Sequence, residues 1–483
     1  MDVRAQVVMA FNLDKCIGCH ACSIACKNLW TDRQGAEYMW WNNVETKPGI
    51  GYPKRWEDQE EYQGGWVADG TNLRLKGLGK GPTLLNMFYQ PNMPKLDDYY
   101  EPFDFDYANL YKAPTGSDQP VADAFSQISG EKMPVIQGGP NWDDDLSGSQ
   151  LYAAGDLNLE EKRIIEDYGR IFMHYLPRIC NHCAHPACVA SCPSRALYKR
   201  GEDGIVLVDQ EVCRGWRFCT SACPYKKVYF NWASGKAEKC IFCYPRVETG
   251  VCSSCAHSCV GRIRYNGVIL YDADKVGEAL LKRDDQLVEA HRGVILDPRD
   301  PQVREGARKN GVSDQWLAAA EKSPIYALVK EFGVAMPLHP EFRTMPMSFY
   351  IPALSPVIGA AGELFEVVEH GEIPPLESLR APIGFLARLL AGGNREVVAA
   401  AIVKLIALRI YMRAKNLGRP APIGALQTAG LDEAGAERLY RLFAVGGYGE
   451  RHVVPPRQRE ELEPERRKGE RGFGILRKTR RGK

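Results

Sequence analysis

The sequence predicts an α+β protein in which two small cysteine-rich modules are nested, one inserted in the other, with large irregular and helical additions. Three observations carry that reading. The sixteen cysteines of the 483-residue chain fall into two groups, four between Cys16 and Cys26 and twelve between Cys180 and Cys259. Apolar runs of strand length border those groups, at residues 6–11, 204–208 and 227–231. Beyond Cys259 the apolar residues recur at helical spacing.

The cysteines form four motifs. The first is Cys16-x2-Cys19-x2-Cys22-x3-Cys26. The second is Cys180-x2-Cys183-x4-Cys188-x3-Cys192, followed by Pro193. The third is Cys213-x2-Trp216-x2-Cys219-x3-Cys223, followed by Pro224. The fourth is Cys240-x2-Cys243-x11-Cys255-x3-Cys259. The first has the spacing of a bacterial ferredoxin apart from the proline after the last cysteine. Two-residue gaps let a tight loop present three thiolates to one cubic iron–sulfur cluster, with backbone amides turned toward the sulfurs. The closing C-x3-C step opens a helical turn and sends the fourth thiolate to a neighbouring cluster. Structural zinc also uses paired C-x2-C but needs neither the third cysteine nor the trailing step.

That crossing rule gives the ligand sets. Motifs two and three are close in sequence and exchange their fourth cysteines. One [4Fe–4S] cluster then takes Cys180, Cys183, Cys188 and Cys223, and its neighbour takes Cys192, Cys213 and Cys219. Motifs one and four form the outer pair. One [4Fe–4S] cluster takes Cys16, Cys19, Cys22 and Cys259, and another takes Cys26, Cys240, Cys243 and Cys255. The chain thus reads as two ferredoxin-like iron–sulfur modules, the second inserted in the first. Trp216 stands where the third motif needs a cysteine. Tryptophan does not ligate iron, so that cluster is expected to lack one corner and be [3Fe–4S]. In motif four both Cys252 and Cys255 are candidates for the third ligand. Only Cys255 gives the C-x3-C step, which leaves Cys252 free. His20, His182 and His185 lie inside motifs but are not needed as ligands.

Basic residues crowd the motifs: Lys15, Lys27, Arg178, Arg195, Arg214, Lys226, Lys227, Lys239, Arg246 and Arg262. Cluster cores are anionic, so cations beside them offset buried charge, while about half are expected at the surface. The overall balance excludes other classes. A net charge of +2 gives no argument for nucleic acid, and 45% hydrophobic with 25% charged residues describes a folded chain. No stretch reaches the roughly 18 apolar residues of a membrane span. The best candidate, residues 397–412, is broken by Lys404 and Arg409 and reads as a buried amphipathic helix. The first residues, MDVRAQVVMAFNLDKC, show neither a basic-then-apolar leader nor a twin-arginine pair, so no export signal is expected. No nucleophile–base motif or phosphate-binding glycine loop is found.

The organisation follows. Residues 1–30 begin the outer module and 236–275 complete it, while 176–235 form the inner module. Residues 31–175 are rich in Trp, Tyr, Gly and Pro and read as an irregular, partner-binding insertion, with a self-packed loop layer as the plainer alternative. A helix is expected over 158–176, capped by Asn158 and Glu161 and stopped by Pro177. The KRGEDG stretch at 199–204 reads as a hairpin turn. Residues 276–456 are mainly helical, with starts at Asp300–Pro301 and Ser323–Pro324 and helices over 381–390 and 394–412. Residues 457–483 form a charged tail.

Several segments go further. LDKCIGCHACSIACKNLW, NNVETKPG, DDYYEPFDFDY, YLPRICNHCAHPACVASCPSRALYKR, GIVLVDQEVCRGWRFCTSACPYKKVYFNW, KCIFCYPR and CVGRIRYNGVILYDAD resemble the beta, iron–sulfur subunits of membrane-bound respiratory nitrate reductases. The resemblance runs from the first residues to about Pro456. It implies three [4Fe–4S] clusters and one [3Fe–4S] cluster on the cysteines named above, with tryptophan at position 216. It also implies two partners: a membrane gamma subunit with b-type haems that oxidises quinol, and a molybdenum bis(pterin) catalytic alpha subunit that reduces nitrate. The chain would be peripheral, held at the membrane through its partner. The cytoplasmic face is the default, and the periplasmic face follows if the catalytic partner carries a twin-arginine signal. Similar subunits serve nitrite oxidoreductases, which run electrons the other way. A freestanding polyferredoxin is the alternative of a different class, and the roughly 300 residues outside the cysteine cores argue against it.

The departure at Trp216 is testable. Trp216→Cys should admit a fourth iron and convert the [3Fe–4S] signal in electron paramagnetic resonance. Absence of that signal from the oxidised parent protein would refute the reading.

Overall fold

A computed structural model describes residues 1–77, 90–117, 120–134, 174–354 and 382–456, together with Ile373 and Leu376. Its centre is a five-stranded sheet. Strand β1 (Val3–Asn12) is buried along nearly all its length, as its apolar run demands. It pairs antiparallel with β2 (Arg264–Asp272), in register from Val3↔Asp272 to Phe11↔Arg264. β2 also pairs with β3 (Ile295–Leu296). On its other side β1 runs parallel to β5 (Ser348–Ile351), and β5 pairs with β4 (Met336–Pro337). The spatial order is therefore β3-β2-β1-β5-β4. β1 enters motif one, and motif four empties into β2. The ladder between them ties the two ends of a long sequence excursion together.

Inside that excursion the second and third motifs each carry a short hairpin. Leu197–Lys199 pairs with Val206–Val208 across the KRGEDG turn, as expected from its glycines and charges. Val228–Asn231 pairs with Lys236–Lys239. Arg200, in the first of these turns, is buried and salt-bridged to Glu202, Asp203 and Glu248. Glu248 belongs to motif four, so this cluster of charge fastens the inner hairpin to the outer module.

One expected element is corrected. Residues 158–173 lie outside the described residues, but His174–Arg178 is a strand paired antiparallel with Asn43–Lys47. Pro177 sits opposite Val44 within that pair and does not stop a helix. A two-stranded ribbon has only edges, so a residue lacking N–H is accommodated there. The aromatic side chains of residues 38–62 face inward. Trp41, Tyr52, Trp56 and Tyr62 are almost wholly buried, and the Arg178 guanidinium lies 3.4 Å from the Trp56 ring centre. Short hairpins, Trp66–Asp69 with Asn72–Leu75 and Phe103–Phe105 with Ala124–Ser126, supply the regular structure of this region.

The C-terminal region is helical. Pro301–Lys309 starts with the Asp300 side chain accepting from Gln302 N–H, and Gly311 follows its end with φ +81°. Pro324–Tyr326 continues into a wide helical turn, Ala327–Glu331. Ile383–Ala391 packs against Arg395–Asn416, the helix expected to be buried. Its two interrupting charges are satisfied: Lys404 Nζ donates to the Phe332 carbonyl at 2.8 Å, and Arg409 pairs with Asp14. No helix among the described residues is long and apolar enough to cross a membrane. The charged tail lies outside the described residues.

Residues 339–345 clamp the inner module. Thr344 and Met345 carbonyls accept from His185 and Ala184 N–H at 3.0 and 2.8 Å, beside Cys183. The clamp hangs on His339, which lies between Glu341 (Nδ1, 2.7 Å) and Glu57 (Nε2, 2.9 Å). Burial alone would lower this imidazole, but the two carboxylates raise it from 6.5 to about 9. A raised folded-state pKa stabilises fully below the unfolded value, and that contribution is lost as pH climbs through the folded one. The melting temperature should therefore decline between pH 6.5 and 9, and His339→Gln should flatten that decline. An equally steep decline in the variant would contradict the clamp.

Candidate metal centres

The cysteine loops share a backbone device. Gly18 and His20, His182, Gly215 and Arg217, and Phe242 and Cys243 all have positive φ. Left-handed residues curl each loop so that its N–H groups turn toward a common centre. Backbone N–H groups within and beside these loops reach sulfur. Phe242 N–H meets Cys240 Sγ at 3.4 Å, Ser254 N–H meets Cys243 Sγ at 3.5 Å and Ala237 N–H meets Cys213 Sγ at 3.5 Å. Ile263 N–H lies 3.4 Å from Cys259 Sγ, and the Trp30 indole N–H lies 3.2 Å from Cys243 Sγ.

A second device follows the last cysteine of motifs two, three and four. Arg195, Lys226 and Arg262, three residues after Cys192, Cys223 and Cys259, have φ of 54°, 48° and 51°. Each returns its N–H to that cysteine's carbonyl, at 3.1, 3.2 and 3.2 Å. Motif one departs. Its helix Ala21–Cys26 runs on into a wide turn, Lys27–Thr31, where a proline after Cys26 would not fit the helix.

Four groups of thiols result, labelled a to d. In group a, Cys16 feels the charge of Cys22 and Cys259, while Cys19 is exposed on the same loop. In group b, Cys26 from motif one stands with Cys240, Cys243 and Cys255 from motif four. These four line a small cavity with Trp30, Trp41 and Phe242. In group c, Cys223 from motif three joins Cys180, Cys183 and Cys188 around a second small cavity. In group d, Cys219 lies with Cys213 and with Cys192 from motif two. Trp216 is half-buried in the same loop. Cys252 is buried beside Cys255, outside the wall of cavity b, and its backbone N–H donates to Tyr448 Oη at 2.9 Å.

The groups form a row. Helix Ala21–Cys26 carries Cys22 of a and Cys26 of b. Cys180 of c lies near enough to Cys240 of b for its charge to act on that thiol. Helices Ala187–Ala190 and Phe218–Ala222, which pack together, carry Cys188 of c and Cys219 of d. The row a–b–c–d reaches the surface at both ends. Ile17 and Val260 are 61% and 63% exposed beside group a, and Trp232 is 57% exposed where Arg217 of the group-d loop approaches it.

These donors fit iron–sulfur clusters. Among the described residues, no three Cys, His, Asp or Glu side chains close around a single bare ion. Quartets b and c instead surround cavities, which suits a cube of iron and sulfide held at its corners. Burial pushes the thiols of Cys16, Cys183 and Cys240 up to about 12, so taking up iron must release protons. Cations offset the charge that appears. Arg178, Lys226, Lys227 and Lys239 are buried, Lys15, Lys27 and Arg246 are half-buried, and Arg195, Arg214 and Arg262 are exposed. Burial lowers Lys226 and Lys227 to about 7, while Cys223 acts on the first, and Cys240 and Cys26 on the second, in the opposite direction. His182 accepts from Val206 N–H through Nδ1 at 3.0 Å and is structural.

Sequence reasoning missed three contributors. Lys199, read only as part of a turn, donates to the carbonyls of Cys183 and Gly204 at 3.2 and 2.8 Å. Trp30 caps cavity b. Arg264, inside the buried strand β2, donates to Cys22 Sγ at 3.1 Å. An arginine five residues after Cys259, at the head of an apolar run, was the available signal.

The chain is similar to known proteins over most of its length. A family described as "4Fe-4S dicluster domain" matches residues 171–269, and one described as "Respiratory nitrate reductase beta C-terminal" matches residues 354–433. The chain is 50% identical to the respiratory nitrate reductase 1 beta chain of Escherichia coli, over 95% of this chain and 91% of that one. It is 49% identical to the nitrate reductase beta chain of Bacillus subtilis over 96% of both. The dimethylsulfide dehydrogenase subunit beta of Rhodovulum sulfidophilum is 38% identical over 80% of this chain and 86% of its own length.

Proposed function

The chain belongs to the family of respiratory nitrate reductase beta chains, the electron-transfer subunits of that enzyme, and on this premise we propose that it conducts single electrons along the row a–b–c–d. Groups a, b and c would each hold a [4Fe–4S] cluster. The ligands are Cys16, Cys19, Cys22 and Cys259 for a; Cys26, Cys240, Cys243 and Cys255 for b; and Cys180, Cys183, Cys188 and Cys223 for c. Group d would hold a [3Fe–4S] cluster on Cys192, Cys213 and Cys219. Bound there, the clusters supply reversible one-electron oxidation and reduction. The crossing of Cys26 into cavity b and of Cys223 into cavity c carries this reading. Two nested ferredoxin-like modules account for it, and the β1–β2 ladder supports the nesting.

The protein's own groups do the rest. N–H donors to sulfur and buried lysines stabilise added negative charge and so favour reduction. Aromatic and aliphatic walls around cavities b and c exclude water. The exposed apolar residues at the two ends suit docking of redox partners. We assign the end at group d to the haem b membrane subunit that oxidises quinol, and the end at group a to the molybdenum catalytic subunit that reduces nitrate. The chain is then peripheral, held at the membrane through the haem-bearing partner.

Affinity recovery of the chain from native membranes should bring molybdenum and b-type haem with it. Recovery of the chain alone, without molybdenum, would contradict the assignment. The crossed ligands have their own test. Cys259→Ala should damage the cluster of the distant first motif, and Cys252→Ser should leave all four signals intact. Loss confined to the Cys240 loop in the first variant, or loss of any cluster in the second, would refute the ligand sets.

A further inference from the structure

Three arginines are among the most deeply buried side chains of the molecule: Arg178, Arg200 and Arg264. Two of them have carboxylate partners. Arg178 meets Glu45, and Arg200 meets Glu202, Asp203 and Glu248. Among the described residues no carboxylate pairs with Arg264. A guanidinium withdrawn from water without a counter-charge is strongly disfavoured. Something else must compensate it.

Its surroundings identify the compensation. Arg264 stands opposite Phe11 in the β1–β2 ladder, with its guanidinium 4.9 Å from that ring. Nη2 donates to Cys22 Sγ at 3.1 Å and to Asn42 Oδ1 at 2.6 Å. Nη1 approaches Met9 Sδ at 3.8 Å. Met9 and Asn42 both line cavity b. One face of the guanidinium therefore touches a ligand of group a, while its other partners form the wall of group b. An arginine guanidinium keeps its charge even when buried, and its thiol neighbours Cys22, Cys255 and Cys259 are drawn from both groups.

We propose that Arg264 is the shared counter-cation of groups a and b, a positioning residue that raises the reduction potentials of both clusters and of neither c nor d. The proposal rests on the cluster assignment above. A fixed cation between two redox centres favours the added electron on either of them, because reduction makes each centre more negative. It also lessens the repulsion between neighbouring reduced clusters. The Asn42 side chain, bonded to Ser23 Oγ at 3.3 Å as well as to Arg264, holds the guanidinium in place.

The test is a redox titration of the intact complex, followed by electron paramagnetic resonance. Arg264→Met should lower the potentials of a and b, with at least a tenfold change in the oxidised-to-reduced ratio at fixed poise, about 59 mV for a one-electron couple. The potentials of c and d should stay put. Arg264→Lys, which keeps the charge, should recover at least half of the shift. Unmoved potentials at a and b with full iron content would overturn the proposal, as would equal movement of all four. If Arg264→Met loses iron, loss confined to a and b supports the shared role and loss of all four overturns it. A parent complex without four cluster signals would strike the assignment itself and overturn the proposal with it.

Discussion

Collecting thiolates away from water is the constraint to which the rest of this structure answers. A buried thiol resists ionisation, and its neighbours of the same charge make matters worse. The chain meets that cost in three ways. Positive-φ residues turn backbone amides toward sulfur. Lysine ammonium groups, pinned by carbonyls, sit within the protein beside the cysteines. Arg264 reaches Cys22 of group a and Asn42 in the wall of cavity b. Iron completes the compensation, which is why assembly of the clusters and formation of the inner structure are coupled on this account.

The crossing of fourth cysteines has a mechanical consequence. Under the proposed ligand sets each pair of motifs is locked, because each would supply a ligand to the other's centre. For the inner pair the two short helices Ala187–Ala190 and Phe218–Ala222 pack side by side to do this. For the outer pair the partners are more than 200 residues apart, and the β1–β2 ladder holds them in register. The aromatic layer around Trp41, Tyr52 and Trp56 and the helical region around Arg395–Asn416 then act as casing. Arg178 joins the first to the inner module through Trp56 and the Tyr225 carbonyl, and Arg409 joins the second to Asp14, two residues before Cys16.

Much of this was legible in the sequence because it is local. The spacing of the cysteines marks loops, the KRGEDG turn marks a hairpin, and Asp300–Pro301 marks a helix start, each from neighbours in the chain. The long-range features were less legible. Nothing in Ser348–Ile351 announces that it will lie parallel to β1. The apolar spacing before Pro177 suggested a helix, but pairing with Asn43–Lys47 decided otherwise at residues 174–178. Arg264 went unnoticed because its importance lies in what it lacks, a carboxylate, and in what lies across the sheet from it. Trp30 likewise reaches Cys243 across more than 200 residues of sequence.

The central claim is that sulfurs from paired motifs enclose four iron centres in a line. Diffraction at the iron absorption edge would see those centres directly. The account predicts iron in the order a, b, c, d, with Cys26 bonded to the centre in cavity b, Cys223 to the centre in cavity c, and a three-iron centre beside Trp216. A centre bound by all four cysteines of a single motif, or scattering that proves to be zinc, would contradict it.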